Sequence, residues 1–508
     1  MRTGPLACIA AAVLLTACGG SWPDDENERA RLVVTKSVDD GSEGTLRWAI
    51  LRSNAEPGKF VIALAPAPGT GELVIKPTSQ LPAIVGPARL EGPWNGSGPP
   101  TVVVDGSAWL DLGPLVGPGI PRACPGEAAG QFGPNTRSIR NAGLQVVDSH
   151  DVEILGFEVR NFCTGIMTLR SSNNRIRRMR LVSNLGAAGV LVTGDDGTAA
   201  GGFSQGISAR NIVEDNVFLN NTDALDIARG SSGTIVRRNT FTIDAQGIPS
   251  SGIEILSSDN VVVEDNTIDG YATALQLGGN GHVLTRNTLI NNAIAVQMGG
   301  TGYLLTGNTV RNNRTGVMQT AGETKLNTLS RNLIYANGQD IAKCGPLNGA
   351  NTVPDSGVCL EKEWETSRIN LGLNGFGPPV PNDLAADCAD RLPDCKLPQN
   401  SPVLAGSTSA TSGFVGAGTL ASRPGQRFAI EFFASHTAGI GGLGEGEVYL
   451  GRTEVTTDAS GSASFSFPTG TSRPLSDGTR SVYFTATATR LSSGQTSEFS
   501  RPQLVTGP

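Results

Sequence analysis

The sequence predicts an all-β chain in two parts, a parallel β-helix followed by an antiparallel β-sandwich, and three observations carry that reading. First, Asn216, Asn239, Asn266, Asn287, Asn308 and Asn332 each stand in the pattern aliphatic-x-x-Asn-x-aliphatic, at intervals of 23, 27, 21, 21 and 24 residues. A period of about 20–25 residues marks a solenoid. Second, every repeat carries another short strand (ALDI, GIEI, ALQL, AVQM), alternating with period two rather than 3.6. Third, beyond Pro402 the segments RFAIEFFAS, EVYLGRTEVTT, ASFSFP and SVYFTATAT alternate between Gly, Asp and Ser turns, as strands of a sandwich do.

Composition agrees. The chain has 508 residues, 66 of them Gly, with 5% aromatics and 38% hydrophobic residues, which suits tight turns around small apolar cores. A formal net charge of −7 without a basic tract argues against a nucleic-acid partner.

Taken in order, residues 1–17 read as a signal peptide, with Arg2 before an apolar run, Leu6 to Leu15, too short to span a bilayer. The segment Leu15-Thr16-Ala17-Cys18-Gly19 resembles a bacterial lipobox, which implies lipidation of Cys18. Gly19 in place of an aspartate then implies the outer membrane, reached through the lipid anchor alone. Residues 18–31 are a tether. The β-helix spans 32–340, its first coils drawn from FVIAL, ELVIK, ARLEG and TVVVDGS, which prolines keep short. Residues 341–397 form a linker and 398–508 the sandwich. Six cysteines, Cys124, Cys163, Cys344, Cys359, Cys388 and Cys395, suit disulfides in an exported chain. Proximity suggests Cys344–Cys359 and Cys388–Cys395, leaving Cys124–Cys163, among the 15 pairings open to six cysteines.

The stretch LVVTKSVDDGSEGTLRWAI at 32–50 resembles the cap of pectin-lyase-like β-helices, and the repeats resemble the right-handed parallel β-helix of that superfamily. The resemblance implies that Leu46, Trp48, Ile50 and Leu51 plug the open end. The C-terminal set IEFFAS, TATAT and TSEFS resembles an immunoglobulin-like module found after such helices. NTDALDI at 221–227 is similar to a segment of polygalacturonase-like hydrolases, which implies a catalytic Asp223, although the paired-aspartate and Arg-x-Lys motifs are missing.

Register turns the repeat into chemistry, because equivalent residues of successive coils lie ~4.8 Å apart. The residues before the asparagines form two rows of alternating charge: Arg177, Glu214, Arg237, Glu264, and Arg178, Asp215, Arg238, Asp265, Arg286. Such rows make inter-coil ion pairs; a lyase would recruit some of these arginines. The outward row of the other strand reads Gln145, Met167, Leu191, Asp226, Glu254, Gln276, Gln297, Met318. Two acids stacked at its centre repel unless a proton, cation or substrate relieves them. Insertions at 194–206 and 243–250 flank the pair, so Asp195, Asp196 and Arg229 join Gln276 and Gln297 as binding candidates. Three readings stay open: a hydrolase using Asp226 and Glu254 as acid and base or nucleophile, a Ca²⁺ site that binds an acidic sugar, and a solvated pair. The functional expectation is recognition of a polysaccharide along the outer groove; cleavage at the acid pair belongs to the hydrolase reading alone. The alternative is a non-enzymatic structural or adhesive surface protein.

Overall fold

The computed structural model describes residues 29–110, 141–195, 206–244, 250–319, 326–338, 369–370, 382, 399–405, 415–439, 442–468 and 481–506. Three parallel sheets wind around one core. Among the described residues the first has 11 strands, from Ala30–Val34 to Thr328–Ser330. The second has 10, from Leu73–Ile75 to Leu333–Tyr335, and the third has 9, from Ala142–Val147 to Ile369–Asn370. That last strand, paired with Val317 and Met318, falls inside the stretch read from sequence as linker. The signal, the tether as far as residue 28, and every cysteine except Cys163 lie outside the described residues; Cys163 is disulfide-bonded.

Each coil sends one aliphatic or aromatic residue inward from its strand in the first and second sheets and two from its strand in the third, such as Leu225 and Ile227, and these stack. Ile176, Val213, Val236, Val263, Leu284, Leu305 and Leu329 form the row of the first sheet. In the second sheet Phe218 and Phe241 stack with ring centroids 4.6 Å apart. All are buried, so burial repeats at every turn and fixes the register.

Asparagines fix it again at the corners. From Asn239 to Asn332, each Oδ1 accepts both the main-chain N–H and the Nδ2–H of the asparagine one coil earlier, at 2.9–3.0 Å, beginning with Asn216 as the first donor. A second ladder runs at another corner, pairing Asn184 with Asn221 and linking Asn292, Asn313 and Asn337. A third begins with Asn174 and Asn211. The sequence reading found only the first, whose flanks are aliphatic. Turns this tight leave buried main-chain N–H groups, and a buried amide is the side chain that answers them coil after coil.

Both ends are sealed. The helix Leu46–Ala55, N-capped by Thr45, buries Leu46, Ala49 and Ile50 against the first turn. Leu51, expected in the plug, is 54% exposed, because one residue past Ile50 rotates about 100° around the axis to the outer face.

The C-terminal part holds a three-stranded sheet (Val403–Ala405, Val415–Ala421, Ser462–Pro468) and a four-stranded one (Val448–Thr456, Arg427–Ser435, Ser481–Arg490, Gln503–Thr506). Both are antiparallel, around a core that includes Leu420, Phe428, Ile430, Phe432 and Phe465. Sequence reading offered a spacer or binding module; the structure adds a seal. Thr328 Oγ1 donates to Gly494 O at 2.6 Å, the Leu329 N–H to Thr496 Oγ1 at 2.9 Å, and Ile334 bridges Gly446. The buried Glu431 carboxylate accepts from Ser330 Oγ at 2.6 Å and from the Arg331 N–H at 2.9 Å. Phe433 and Phe499 complete the solenoid's own core.

Replacing Asn266 by Ala removes the acceptor that the Asn239 N–H and Nδ2 groups share and the three donations of its own Nδ2, to Val236 O, Glu264 O and Asn287 Oδ1. The variant is expected to lose about 3 kcal/mol of stability, measured as a lower urea midpoint with an unchanged slope.

Candidate functional site

The outward row of the third sheet pairs as the spacing predicts: Gln145 with Met167, Met167 with Leu191, Leu191 with Asp226, Asp226 with Glu254, Glu254 with Gln276, Gln276 with Gln297, and Gln297 with Met318. The two acids are therefore neighbours, on adjacent coils and one face. The face is covered rather than open at its centre. Asp226 is 5% exposed and Glu254 6%, while Met167 and Leu191 are buried in a small apolar cluster with Ala142, Leu169 and Ala228. Exposure returns at Gln276 and Gln297, which are half-buried. The acid pair thus lies between an apolar wall toward the N-terminal coils and an amide side toward the C-terminal ones.

Gln276 Nε2 donates to Glu254 Oε1 at 2.6 Å. Asp223 is half-buried, and its Oδ1 accepts the Ser251 N–H at 2.8 Å, so it ties its own coil to the next. Asp195 is fully buried and forms an ion pair with Arg229 Nη1 at 3.1 Å; its N–H donates to Thr193 Oγ1. Arg229 follows Asp226 by three residues, at the exit of the same strand. Asp196 lies outside the described residues. Among the described residues no three His, Cys, Asp or Glu side chains gather into a set that could hold a metal ion.

The alternating arginines serve the coils. Arg177 Nε meets Glu153 Oε1 at 2.5 Å, Arg237 Nε meets Glu214 Oε2 at 2.7 Å, and Arg238 and Arg286 clasp Asp215 and Asp265. Burial alone would raise the Glu214 carboxyl, but hydrogen bonds from Arg237 and Arg175 hold it below its usual value.

Tyr271 escaped the sequence reading. It stands where the second ladder has Asn221 and Asn292, and its N–H donates to Asn292 Oδ1 at 2.9 Å. Its hydroxyl is wholly buried without a hydrogen-bond partner among the described residues, and burial, with Asp223 nearby, pushes the phenol well above its usual value. The signal was GYA at 270–272 aligned with NNA at 291–293. His282 belongs to the third ladder. Its Nδ1 accepts the Val261 N–H at 3.1 Å, its Nε2 bonds Gly278 O at 2.7 Å, and it stacks on Tyr303. That role is architectural.

A parallel solenoid with inward aliphatic rows defines the class, and comparison with known proteins places the chain within it. Residues 243–362 match the family model described as right handed beta helix region, and residues 130–302 match that described as periplasmic copper-binding protein (NosD). The chain is 33% identical over 456 residues to a 3-dehydroshikimate dehydratase of Acinetobacter baylyi, covering 87% of this chain and 90% of that protein. It belongs to the family of right-handed parallel β-helix proteins that includes this dehydratase. Among solved structures it is similar to XylC in complex with xylose (12% identity, 90% of this chain, 100% of that one, TM-score 0.37). It is also similar to the catalytic domain of a GH87 α-1,3-glucanase (12% identity, 61% of this chain, 58% of that one, TM-score 0.30). No helix among the described residues is long and apolar enough to cross a membrane.

Burial pushes the His282 imidazole below its ordinary 6.5. An unfolded chain takes up a proton at 6.5 that the folded one refuses, so stability is complete above that pH and falls as pH drops toward the lowered folded value. Urea midpoints at about pH 7.5 and about pH 5.5 are expected to differ less in His282→Asn, which keeps the acceptor and loses the titration.

Proposed function

We propose that the chain is a dehydratase acting on a small hydroxylated ring carboxylate of the 3-dehydroshikimate type. The observation that carries this is the 33% identity to such an enzyme over nearly the whole of both chains. The acid pair supplies a chemistry that fits. Dehydration beside a ring ketone needs a base for the acidic C–H and an acid for the departing β-hydroxyl. Two carboxylates one coil apart favour holding a single proton between them, which provides one of each. The hydrogen bond from Gln276 favours the ionised form of Glu254, and assigns it the base. Asp226 is then the acid. Glu254 takes the proton from carbon, the electron pair forms the C=C bond as the C–O bond breaks, and the oxygen leaves as water with the proton of Asp226. The dienone that results tautomerises to an aromatic dihydroxybenzoate. Arg229, positioned by Asp195, supplies the positive charge that draws the substrate carboxylate. The covered centre of the row suits a small substrate and excludes water from the pair.

A second reading, recognition of a polysaccharide, is favoured by the half-open Gln276 and Gln297, whose amides match sugar hydroxyls. In either case we infer export and anchoring through Cys18, supported by the lipobox-like sequence.

Purified protein incubated with 3-dehydroshikimate is expected to produce the ultraviolet absorbance of a dihydroxybenzoate. Asp226→Asn and Glu254→Gln should each lower kcat by about 10²–10⁴-fold while leaving the unfolding midpoint near or above wild type. A folded protein that yields no aromatic product, yet retains a glycan from a panel, would replace the dehydratase by the second reading. Chelation separates the proton from the alternative Ca²⁺: activity should survive EDTA, and its loss with recovery on adding Ca²⁺ would put a cation between the carboxylates instead.

A further inference from the structure

The second row of alternating charge has an odd member. Extending the register by one residue stacks Gly92, Gly156, Arg178, Asp215, Arg238, Asp265 and Arg286 at the corner after the first sheet. Arg238 takes Asp215 with both arms, Nε to Oδ1 at 2.7 Å and Nη2 to Oδ2 at 2.9 Å. Arg286 takes Asp265 in the same way, at 2.7 Å for both bonds. Arg178 comes before the first acid of the row and has none of its own. Its side chain makes no hydrogen bond or ion pair among the described residues, and its buried Nε has no acceptor. The carboxylates on its N-terminal side are engaged: Arg177 and Arg89 hold Glu153, and Arg89 and Arg31 hold Glu91.

The two coils before Arg178 offer no side chain at this corner. Gly156 (φ +84°) and Gly92 lie so close that a Cβ on either would come within 2.3 Å of the other's carbonyl oxygen. The register thus sets Arg178 directly after a bare main-chain ledge. Burial, with Arg177 and Arg89 nearby, pushes the guanidinium below its usual value, an effect that Glu153 and Asp215 only partly offset. A cation kept unpaired beside other cations costs stability unless something negative completes it.

We propose that Arg178 and the Gly92–Gly156 ledge form an oxoanion site, taking a carboxylate or phosphate group at the corner between the first and second sheets, away from the acid pair on the third. The forked guanidinium suits two oxygens of one such group. Arg177 and Arg89 add to the local positive field in a chain whose overall charge is −7. The group could belong to an acidic sugar or to a phosphate ester, and the two sources are separable by probe.

The experiment is calorimetric titration of the whole protein at low ionic strength, where surface charge is least screened, with inorganic phosphate in one arm and glucuronate in the other. Saturable binding of at least one probe is expected, with affinity reduced ten-fold or more in Arg178→Gln and partly kept in Arg178→Lys. Phosphate alone would indicate a phosphate ester, glucuronate alone or both a carboxylate-bearing sugar. Without any probe, Arg178→Gln should melt at or above the wild-type temperature, since it relieves crowding by Arg177 and Arg89, whereas Arg286→Gln, which breaks a made pair, should melt lower. Absence of binding by both probes, or equal binding by Arg178→Gln, overturns the site. So does a lower melting temperature of Arg178→Gln without probe, which would make the arginine a structural partner like its neighbours.

Discussion

The coil-to-coil hydrogen bond governs this molecule. Parallel strands paired in register bring the same position of successive turns to about one strand spacing, and every other feature inherits that vertical order. Aliphatic residues fall on aliphatic residues, amides on amides, arginines on carboxylates. The asparagine ladders strengthen the arrangement at the corners, where strand pairing lapses and buried N–H groups would otherwise lack acceptors. A slip of one residue in any coil would turn its apolar set outward and break the ladders together, which is why the register is so strongly specified.

Much of this was legible in the sequence because repetition makes register readable without coordinates. The asparagine spacing gave the turn, and the turn gave the outward row, so the contact between Asp226 and Glu254 followed from counting. The alternating charges were legible for the same reason. What counting could not give was whatever departs from the repeat. Tyr271, His282 and Tyr303 occupy ladder positions with rings in place of amides, and nothing in a period announces such exchanges. Nor does a periodic pattern tell whether an outward face meets solvent. The near-complete burial of Asp226 and Glu254 is therefore something only the folded chain displays.

Placement within a family and the geometry of the pair speak to different questions. The relationship to a dehydratase concerns the chain as a whole. The stacked carboxylates concern a single point on one face, where Asp226 and Glu254 pair across one strand spacing. A solenoid is well suited to this, because adjacent coils bring together residues 28 positions apart in sequence, Asp226 and Glu254, on a surface that the interior rows keep rigid.

The Glu431 carboxylate has a wider meaning than the two bonds it accepts. The last coil would otherwise present a ragged row of main-chain donors and acceptors, a template on which a neighbouring chain could extend the winding indefinitely. With Ser330, Arg331, Thr328, Leu329 and Ile334 already committed to the sandwich, a foreign strand arriving there would find its partners taken. The domain that finishes the rod is thereby also its guard against fibrous growth.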